Sequence, residues 1–539
     1  MSYSKIFSDL PELTYEIIKY FRNDFSTLHS CILVNRLWCR LSIPLLWENP
    51  FSIPTQNYNF IGIYLHDLND ELKAKLKEEY KIDDNLYSSN TLFNYPTLLK
   101  YLYTPKIISS IRKWSNNVIE NLNIENNSVT KFKRLILISL IKIFIENEVN
   151  IHTFEIQVSH YYYYDACLDD VLELMLQTPD FFHNIKNLNL HFMSSVFAHT
   201  TQNLILQTIN LHQNLKKITL LGFFIFPLYK SLLLSKDHNH SNTLNTIISY
   251  SINFGGITNL DKAFKQLNVL ETVHIIYCTL DSNFIQQIIN LTKPIKLKSL
   301  FLNEKLQFDE LLQLLQKYGD YIENFGIRFG FLFLCNQQDQ QIELITKYCE
   351  NIKFLSFTLF KNWIIHPLFN ITENAKQNLN YLSISVSNNL SSKDIELSSS
   401  ILRNLDQILP LKLEYLNLTL NIKYINDLEI FLKNSQNTFI KKLLIKNGGI
   451  NDKKGHDIYD FIISYIKEYI MKKKRVKYLA IINYFSDGTS TIRNYVKKEL
   501  FSLKNEVKEF ELYDIKIQKY KDLVINSEVS FIEELEDKF

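Results

Sequence analysis

LNYLSISV (379–386) and LEYLNLTL (413–420) are two copies of the pattern that decides the fold of this chain. In each copy an apolar residue is followed three and five positions later by two more, so apolar and polar side chains alternate as in a half-buried strand. About thirteen copies recur at intervals of about 25 to 36 residues, which indicates an internal repeat. The copies begin at Ile151, Ile185, Leu215, Leu244, Leu270, Leu297, Ile322, Ile352, Leu379, Leu413, Ile440, Val476 and Val507.

The segments between the copies carry helical spacing instead. Apolar residues recur at intervals of three and four after Asp281 and again after Asp309, and both aspartates are candidate helix caps. Strands that alternate with helices predict an α/β fold with a parallel sheet. Stacked units of this kind form a solenoid with its strands on the concave face and its helices on the convex face.

This repeat resembles the leucine-rich repeat family, with one departure. The asparagine or cysteine that the family usually has three residues after the last apolar position is mostly missing, and Cys278 is the one clear match. The resemblance therefore implies divergent repeats and irregular curvature, with the turns stabilised in another way. A generic α/β protein is the alternative.

The N-terminal block, residues 10–47, has a different, wholly helical character. Pro11 suits the first turn of a helix, apolar residues recur at helical spacing through Phe21, and Asp24 or Ser26 could cap a second helix. A block of about forty residues rarely buries enough apolar surface to be stable alone, so it needs a partner or a neighbouring domain. It could equally be an ordinary helical cap on the repeats.

The block resembles the F-box family through Leu10-Pro11, Glu16-Ile17-Ile18, Leu28 and the closing segment Val34–Trp38. The resemblance implies docking to a Skp-type adaptor and, through it, to a cullin. The adaptor-binding positions that it implies are Leu10, Pro11, Ile17, Ile18, Leu28, Val34 and Trp38.

The predicted architecture is thus α/β: a short helical F-box over residues 1–50, a helical connector over 51–147 and an irregular leucine-rich-repeat solenoid over 148–539. The connector has a charged stretch, two prolines and an apolar helical run from Phe132 to Ile145. No apolar stretch reaches the length of about eighteen residues that a membrane helix needs.

Composition excludes several classes of function. Lys and Arg total 59 against 57 Asp and Glu, so the charge balance gives no argument for binding nucleic acid. Six scattered cysteines without a zinc-ligand pattern read as reduced thiols, and the N-terminus lacks the pattern of a secretory signal. We therefore expect a cytoplasmic or nuclear protein without a cofactor, a metal or a membrane partner.

Catalytic motifs are also missing from the sequence. There is no phosphate-binding loop, HExxH or GxSxG, which predicts a chain that is not itself an enzyme. His238 and His240 fit a polar loop, and the basic run 472–475 fits a solvated helix end. An enzyme with an unrecognised site on the concave face is a rival hypothesis.

Aromatic residues recur at one outward-facing position of the later repeats. The alternation places Phe354, Tyr381, Tyr415 and Tyr478 in one column on the concave sheet, with Lys442 between the last two. Exposed aromatic side chains are frequent anchors at protein interfaces. Together the patterns predict a substrate-recognition subunit of a Skp–cullin–F-box ubiquitin ligase, with an unidentified protein substrate on this column. The alternative is a repeat scaffold that has no connection with ubiquitination.

Overall fold

The structure, a computed structural model, describes residues 10–525 and 531–532, except 23, 54–56, 81–91, 120–125, 159–161, 194–198, 223–240, 304–305, 329–337, 360–364, 387–391, 451–454 and 487–494. The chain forms two compact units. The first comprises Met1–Ile247 with Lys262–Leu270, and the second comprises Ile248–Asp261 with Glu271–Phe539.

The first unit begins with helices and continues with strands that alternate with helices. Its helices are α1 (Pro11–Lys19), α2 (Phe25–Ile32), α3 (Arg36–Trp47), α4 (Phe60–Leu65), α5 (Asp70–Tyr80), α6 (Thr104–Ile119), α7 (Asn126–Glu146), α8 (Tyr162–Leu176) and α9 (His199–Leu211). Its strands are β1 (Tyr101–Tyr103), β2 (Thr153–Val158), β3 (Asn187–Phe192) and β4 (Lys217–Gly222), each parallel to the next. Strand β5 (Thr246–Tyr250) and helix α10 (Leu260–Gln266) span the division between the units.

The second unit is a longer series of the same alternation. Its strands are β6 (Thr272–Ile276), β7 (Lys296–Leu302), β8 (Asn324–Arg328), β9 (Phe354–Leu359), β10 (Tyr381–Val386), β11 (Lys412–Leu420), β12 (Phe439–Ile450), β13 (Val476–Ser486), β14 (Tyr495–Glu499) and β15 (Lys516–Ile517). Its helices are α11 (Ser282–Ile289), α12 (Phe308–Tyr318), α13 (Gln338–Tyr348), α14 (Ile365–Ala375), α15 (Ser392–Ile408), α16 (Ile425–Asn434), α17 (Gly455–Ile466), α18 (Lys504–Glu511) and α19 (Tyr520–Leu523). Strands β6 to β13 are successively parallel, which confirms the predicted α/β class.

The apolar positions of the repeat build the core of this unit. The middle apolar residue of each copy lies opposite its counterpart on the next strand, and all of these side chains are fully buried: Leu355, Leu382, Leu416, Leu443 and Leu479. Burial of a leucine side chain contributes roughly 1.5–3 kcal/mol, and the contribution is repeated at every strand. The register is therefore fixed by the sequence pattern, because a slip of one residue would expose every leucine.

Polar side chains stabilise the turns at positions other than the consensus one. Cys278 lies 3.4 Å from the carbonyl oxygen of Ser249, as the predicted match would require. Elsewhere Asn303 donates to the carbonyl of Tyr277 at 2.9 Å. Asn447 accepts from the backbone N–H of Ile422 at 2.9 Å, although it follows the last apolar residue by only two positions.

The last predicted strand copy is wrong. Val507 and Phe510 lie in helix α18, where Phe510 is buried and Leu512, just beyond the helix, is 81% exposed. A spacing of three residues fits a helix as well as the repeat, and here the helix wins. The strand that pairs with β13 on this side is the two-residue β15, and β14 adds an unpredicted antiparallel strand.

The predicted connector, 51–147, is mostly helical but also contains β1, which pairs with β2. Three residues are too few for a period-two signal. The division between the compact units falls inside the predicted repeat region, so the boundaries at residues 50 and 147 stay predictions. In the described ranges no helix is both long and apolar enough to cross a membrane.

Candidate protein-interaction surfaces

The N-terminal module, residues 10–47, packs α1, α2 and α3 around a small core. Helix α1 begins at Pro11 as predicted, and Asp24 caps α2 by accepting from the backbone N–H of Thr27 at 3.1 Å. The core cluster contains Ile18 and Leu28, both fully buried. These two predicted adaptor contacts are thereby corrected: their side chains have no free surface and stabilise the module instead.

The other predicted adaptor positions differ in exposure. Leu10 and Val34 are 46% and 58% exposed, and Pro11 is exposed as well. Ile17 and Trp38 are half-buried, and Trp38 packs against the core cluster. The module therefore keeps part of the predicted set available to a partner.

Three further apolar side chains of the module face solvent and were not predicted as contacts. Leu13 is 51%, Leu33 76% and Tyr20 90% exposed. The sequence signal was present at Leu13 and Tyr20, which belong to the apolar stripe of α1. What it lacked was the packing angle of α1 against its neighbours, which decides which part of that stripe is covered.

A buried carboxylate joins the module to the sheet of the first unit. The Glu48 side chain, 4% exposed, forms an ion pair with Arg22 and lies 3.7 Å from the Lys100 ammonium. The Glu48 carbonyl accepts from the backbone N–H groups of Lys100 and Tyr101 at 2.9 and 3.1 Å. Burial alone would lower the pKa of Arg22, but the hydrogen bond and the charge of Glu48 raise it. Arg22 thus stays charged and attaches the module to β1.

The predicted aromatic column exists on strands β9 to β13. Phe354, Tyr381, Tyr415, Lys442 and Tyr478 lie opposite one another on successive strands, which confirms their predicted register. The ring centroids of the first pair are 6.2 Å apart and those of the second pair 6.3 Å apart. Such spacings fall within the range of attractive aromatic pairs.

The row of outward-facing residues beside the column is small or aliphatic. We call these two rows together the tyrosine face; the second row consists of Ser356, Ser383, Asn417, Leu444 and Ala480. Asn417 donates to the hydroxyl of Ser383 at 3.1 Å. Leu444 and Ala480 are fully buried although they point away from the leucine core, so another part of the chain covers them.

The cover is the chain's own C-terminal part. Leu523 joins Tyr415, Leu444 and Ala480 in one buried cluster, and Tyr520, Val524 and Ile525 pack against its edge. We call residues 520–525 and 531–532 the C-terminal strap. The prediction of an open column is therefore wrong at Phe354 and Tyr415, which are 2% and 1% exposed, whereas Tyr381 and Tyr478 remain half-buried.

Tyr520 is the polar anchor of the strap. Its hydroxyl donates to the Asn417 side-chain oxygen at 2.7 Å and lies 3.3 Å from the Thr419 hydroxyl. Its backbone N–H donates to Glu499 at 2.6 Å. Burial raises the pKa of Tyr520, against the opposing effect of the two side-chain hydrogen bonds, so the phenol stays protonated and able to donate.

Phe531 is the aromatic anchor of the strap. Its ring centroid lies 5.0 Å from that of Phe354 and 4.6 Å from that of Tyr381. Between the two anchors the backbone N–H of Ile525 donates to the phenol oxygen of Tyr415 at 3.2 Å. A run of apolar residues near the C-terminus was the available sequence signal, but it has no strand pattern and was not assigned to this face.

Ionisable groups come together at one place in the first unit. His191 Nδ1 lies 3.9 Å from a Glu155 carboxylate oxygen. Burial lowers the pKa of His191 to about 4, so the ring is neutral at pH 7 and the contact is not an ion pair. In the second unit the Arg328 guanidinium stacks 4.2 Å from the ring centre of Tyr277.

A serine and a histidine also meet in the second unit. His274 Nδ1 lies 2.7 Å from the Ser299 hydroxyl, to which Asn324 donates at 3.0 Å. All three side chains are at most 4% exposed, so a substrate has no access to them and the chain of contacts ties β6, β7 and β8 together. In the described part of the chain no three His, Cys, Asp or Glu residues are grouped to hold a metal ion. His238 and His240 lie outside the described residues.

Comparisons with known proteins do not assign a family. No family model matches the chain, and no curated protein matches it. A solved structure titled "Crystal structure of HydG: A maturase of the [FeFe]-hydrogenase" is similar to it at 10% sequence identity and a TM-score of 0.19, with 76% of this chain and 95% of that chain covered.

This comparison contradicts the prediction that the chain is a non-catalytic subunit, because the similar protein is a maturase. We therefore do not retain that prediction. A TM-score of 0.19 carries no argument about activity, so no maturase chemistry is transferred to this chain either.

Proposed function

We propose that this chain is the substrate-recognition subunit of a Skp–cullin–F-box ubiquitin ligase. The N-terminal module docks a Skp-type adaptor, and leucine-rich repeats hold a target protein at the tyrosine face. The complex then brings a target lysine close to a ubiquitin-loaded enzyme, so that proximity supplies the rate enhancement. Such a complex works in the cytoplasm or the nucleus.

The carrying observation is the exposed apolar surface of the N-terminal module. Its core cluster is small, while Leu10, Leu13, Leu33 and Val34 are each 46% exposed or more. Apolar side chains that gather on one small module favour burial against a partner, at roughly 25 cal/mol for each Å² removed from water.

The attachment of the module supports the same function. A substrate receptor must hold its adaptor-docking part in a defined position relative to its first repeat strand. The Arg22–Glu48 ion pair and the two backbone hydrogen bonds at the Glu48 carbonyl do this between the module and β1. An ion pair with one buried partner is costly to break, so the attachment is rigid.

Capture of a purified Skp-type adaptor by the full-length chain tests the proposal. The double substitution Leu33→Asp, Val34→Asp should lower capture at least about tenfold, because it puts two charges into an apolar interface without touching the module core. Both residues are exposed, so the fold should be retained. Trp38→Ala is a poorer variant because Trp38 packs on the core cluster.

The matched control is Leu411→Asp. Leu411 is 75% exposed, as Leu33 is 76% exposed, but it lies in the second unit. Its capture should equal that of the wild-type chain. If the wild-type chain captures no adaptor, or if the double variant captures as much as the control, the ligase proposal fails and the repeat-scaffold alternative takes its place.

A further inference from the structure

The tyrosine face already holds a peptide segment, and that segment belongs to the same chain. We propose that this face binds short peptide segments with a tyrosine followed at the third, fourth and fifth positions by aliphatic residues, and that the C-terminal strap occupies it as an intramolecular ligand. The inference rests on the proposed function in treating this face as the target site. It adds the chemistry of the target and the reason why a target must compete.

The polar part of the face is complementary to a tyrosine of any peptide. The side-chain oxygen of Asn417 and the hydroxyl of Thr419 meet the phenol of Tyr520, and Glu499 accepts its backbone N–H. Asn417 is oriented by its own hydrogen bond to Ser383. None of these contacts depends on the covalent link between the strap and β15.

The apolar part of the face selects an aliphatic residue three positions later. Leu523 is 6% exposed and lies against Leu444 and Ala480, which stand opposite each other on β12 and β13. Alanine at this position of β13 leaves room for a branched side chain from the ligand. Val524 and Ile525 continue the contact at the edge of the same cluster.

The strap is built to be displaced without harm to the sheet. Strand β15 is tied to β13 by pairing and by the backbone bond from Gln518 to Leu479. Beyond it, the described strap residues form only the short α19 and a further helical pair, and pair with no strand. Release of the strap from the face therefore leaves the β-ladder of the second unit intact.

Peptide binding to the purified full-length chain tests this inference. The probe is a fluorescently labelled synthetic peptide with the sequence of residues 518–532. The strap-released variant carries Tyr520→Ala and Leu523→Asp in the chain, while the peptide keeps the natural residues. Since a tethered ligand has an effective concentration of the order of mM, a µM peptide should bind the released chain at least about tenfold more tightly than the wild type.

Three controls define the result. Leu512→Asp changes an 81% exposed leucine outside the strap and should behave as the wild type. Asn417→Ala, added to the released chain, should weaken peptide binding because the phenol loses its acceptor. A peptide that carries Tyr520→Ala and Leu523→Asp should not bind the released chain.

Equal peptide binding by the wild-type and released chains would overturn the inference, as would no binding by a folded released chain. If circular dichroism shows that the released variant is unfolded, Tyr520→Phe decides instead. It removes only the hydroxyl and should increase peptide binding about two- to tenfold, and unchanged binding would count against the inference. Adaptor capture is measured separately on the N-terminal module, so the ligase proposal and this inference can fail independently.

Discussion

Arg475 is the residue whose surroundings differ most from its sequence context. It ends the basic run 472–475, for which we expected a solvated helix end, but it is only 5% exposed. Its guanidinium donates to the carbonyls of Leu432, Thr438 and Ser435, which belong to α16 and the turn that follows it. Burial lowers the pKa of Arg475 to about 10, so the side chain is still charged at pH 7. It satisfies helix-end carbonyls that would otherwise be buried without donors.

Replacement of Arg475 by alanine should therefore destabilise the second unit strongly. We expect a loss of about 3 kcal/mol or more, because several buried carbonyls lose a charged donor at once. Denaturant unfolding followed by circular dichroism measures the loss. Lys473→Ala, an exposed neighbour in the same run, should change stability by less than about 0.5 kcal/mol. Equal effects of the two substitutions would contradict the assigned role of Arg475.

At the same scale, sequence identifies which way a side chain points but not what lies over it. Alternation placed Phe354 and Tyr415 on the outward face correctly. Their burial comes from Phe531, Leu523 and Ile525, more than a hundred residues away in sequence. A local period cannot report contact over such a separation.

At the scale of the secondary-structure elements, the predicted helix starts were partly correct. Asp281 caps α11 by accepting from the backbone N–H of Phe284 at 2.7 Å, as predicted. Asp309 was predicted to cap α12, but that helix already begins at Phe308, so Asp309 lies in its first turn. One residue of difference in the start of the helix turns a cap into a weaker interaction with the helix dipole.

Asp281→Ala and Asp309→Ala make a matched pair that tests this difference. Asp281 also accepts from the backbone N–H of Gly256 at 3.0 Å, so its loss removes a cap and a tie to the preceding loop. We expect a cost of about 1–2 kcal/mol for Asp281→Ala and a few tenths, about 0.3 kcal/mol, for Asp309→Ala. Thermal unfolding ranks the two. A larger cost at Asp309 would show that the assigned caps are wrong.

At the scale of the whole molecule, the stability of the first unit should depend on pH through His212. This ring is fully buried, its Nδ1–H donates to the Thr208 carbonyl at 2.7 Å, and burial lowers its pKa to about 4. Below the ordinary value of 6.5 the unfolded chain binds a proton that the folded chain refuses. The free energy of unfolding should therefore fall as the pH drops from 6.5 towards 4.

The comparison of three chains measures this effect. The slope of unfolding free energy against pH between 6.5 and 4 should be smaller in His212→Gln than in the wild type, by up to one proton. His29→Gln, at an exposed site on α2, should keep the wild-type slope. Identical slopes in the wild type and His212→Gln would exclude His212 as the source.

Much of the overall fold could be predicted because it repeats. One pattern gave the α/β class and the parallel register at nearly every strand, since each copy buries its leucine against the next. What breaks the repeat was missed: the three-residue β1, the antiparallel β14 and helix α18 in place of a strand. The site suffered in the same way, because the module packing and the strap are single, non-repeating contacts.

The strap also gives the chain a timetable during synthesis. Tyr520 follows its partner Asn417 by 103 residues, and Ile525 follows Tyr415 by 110. At about 5–20 residues per second, a ribosome needs roughly 5–20 s to make that length. Strands made earlier can pair in the meantime, so a nascent chain presents aromatic rings to its surroundings before the residues that cover them exist.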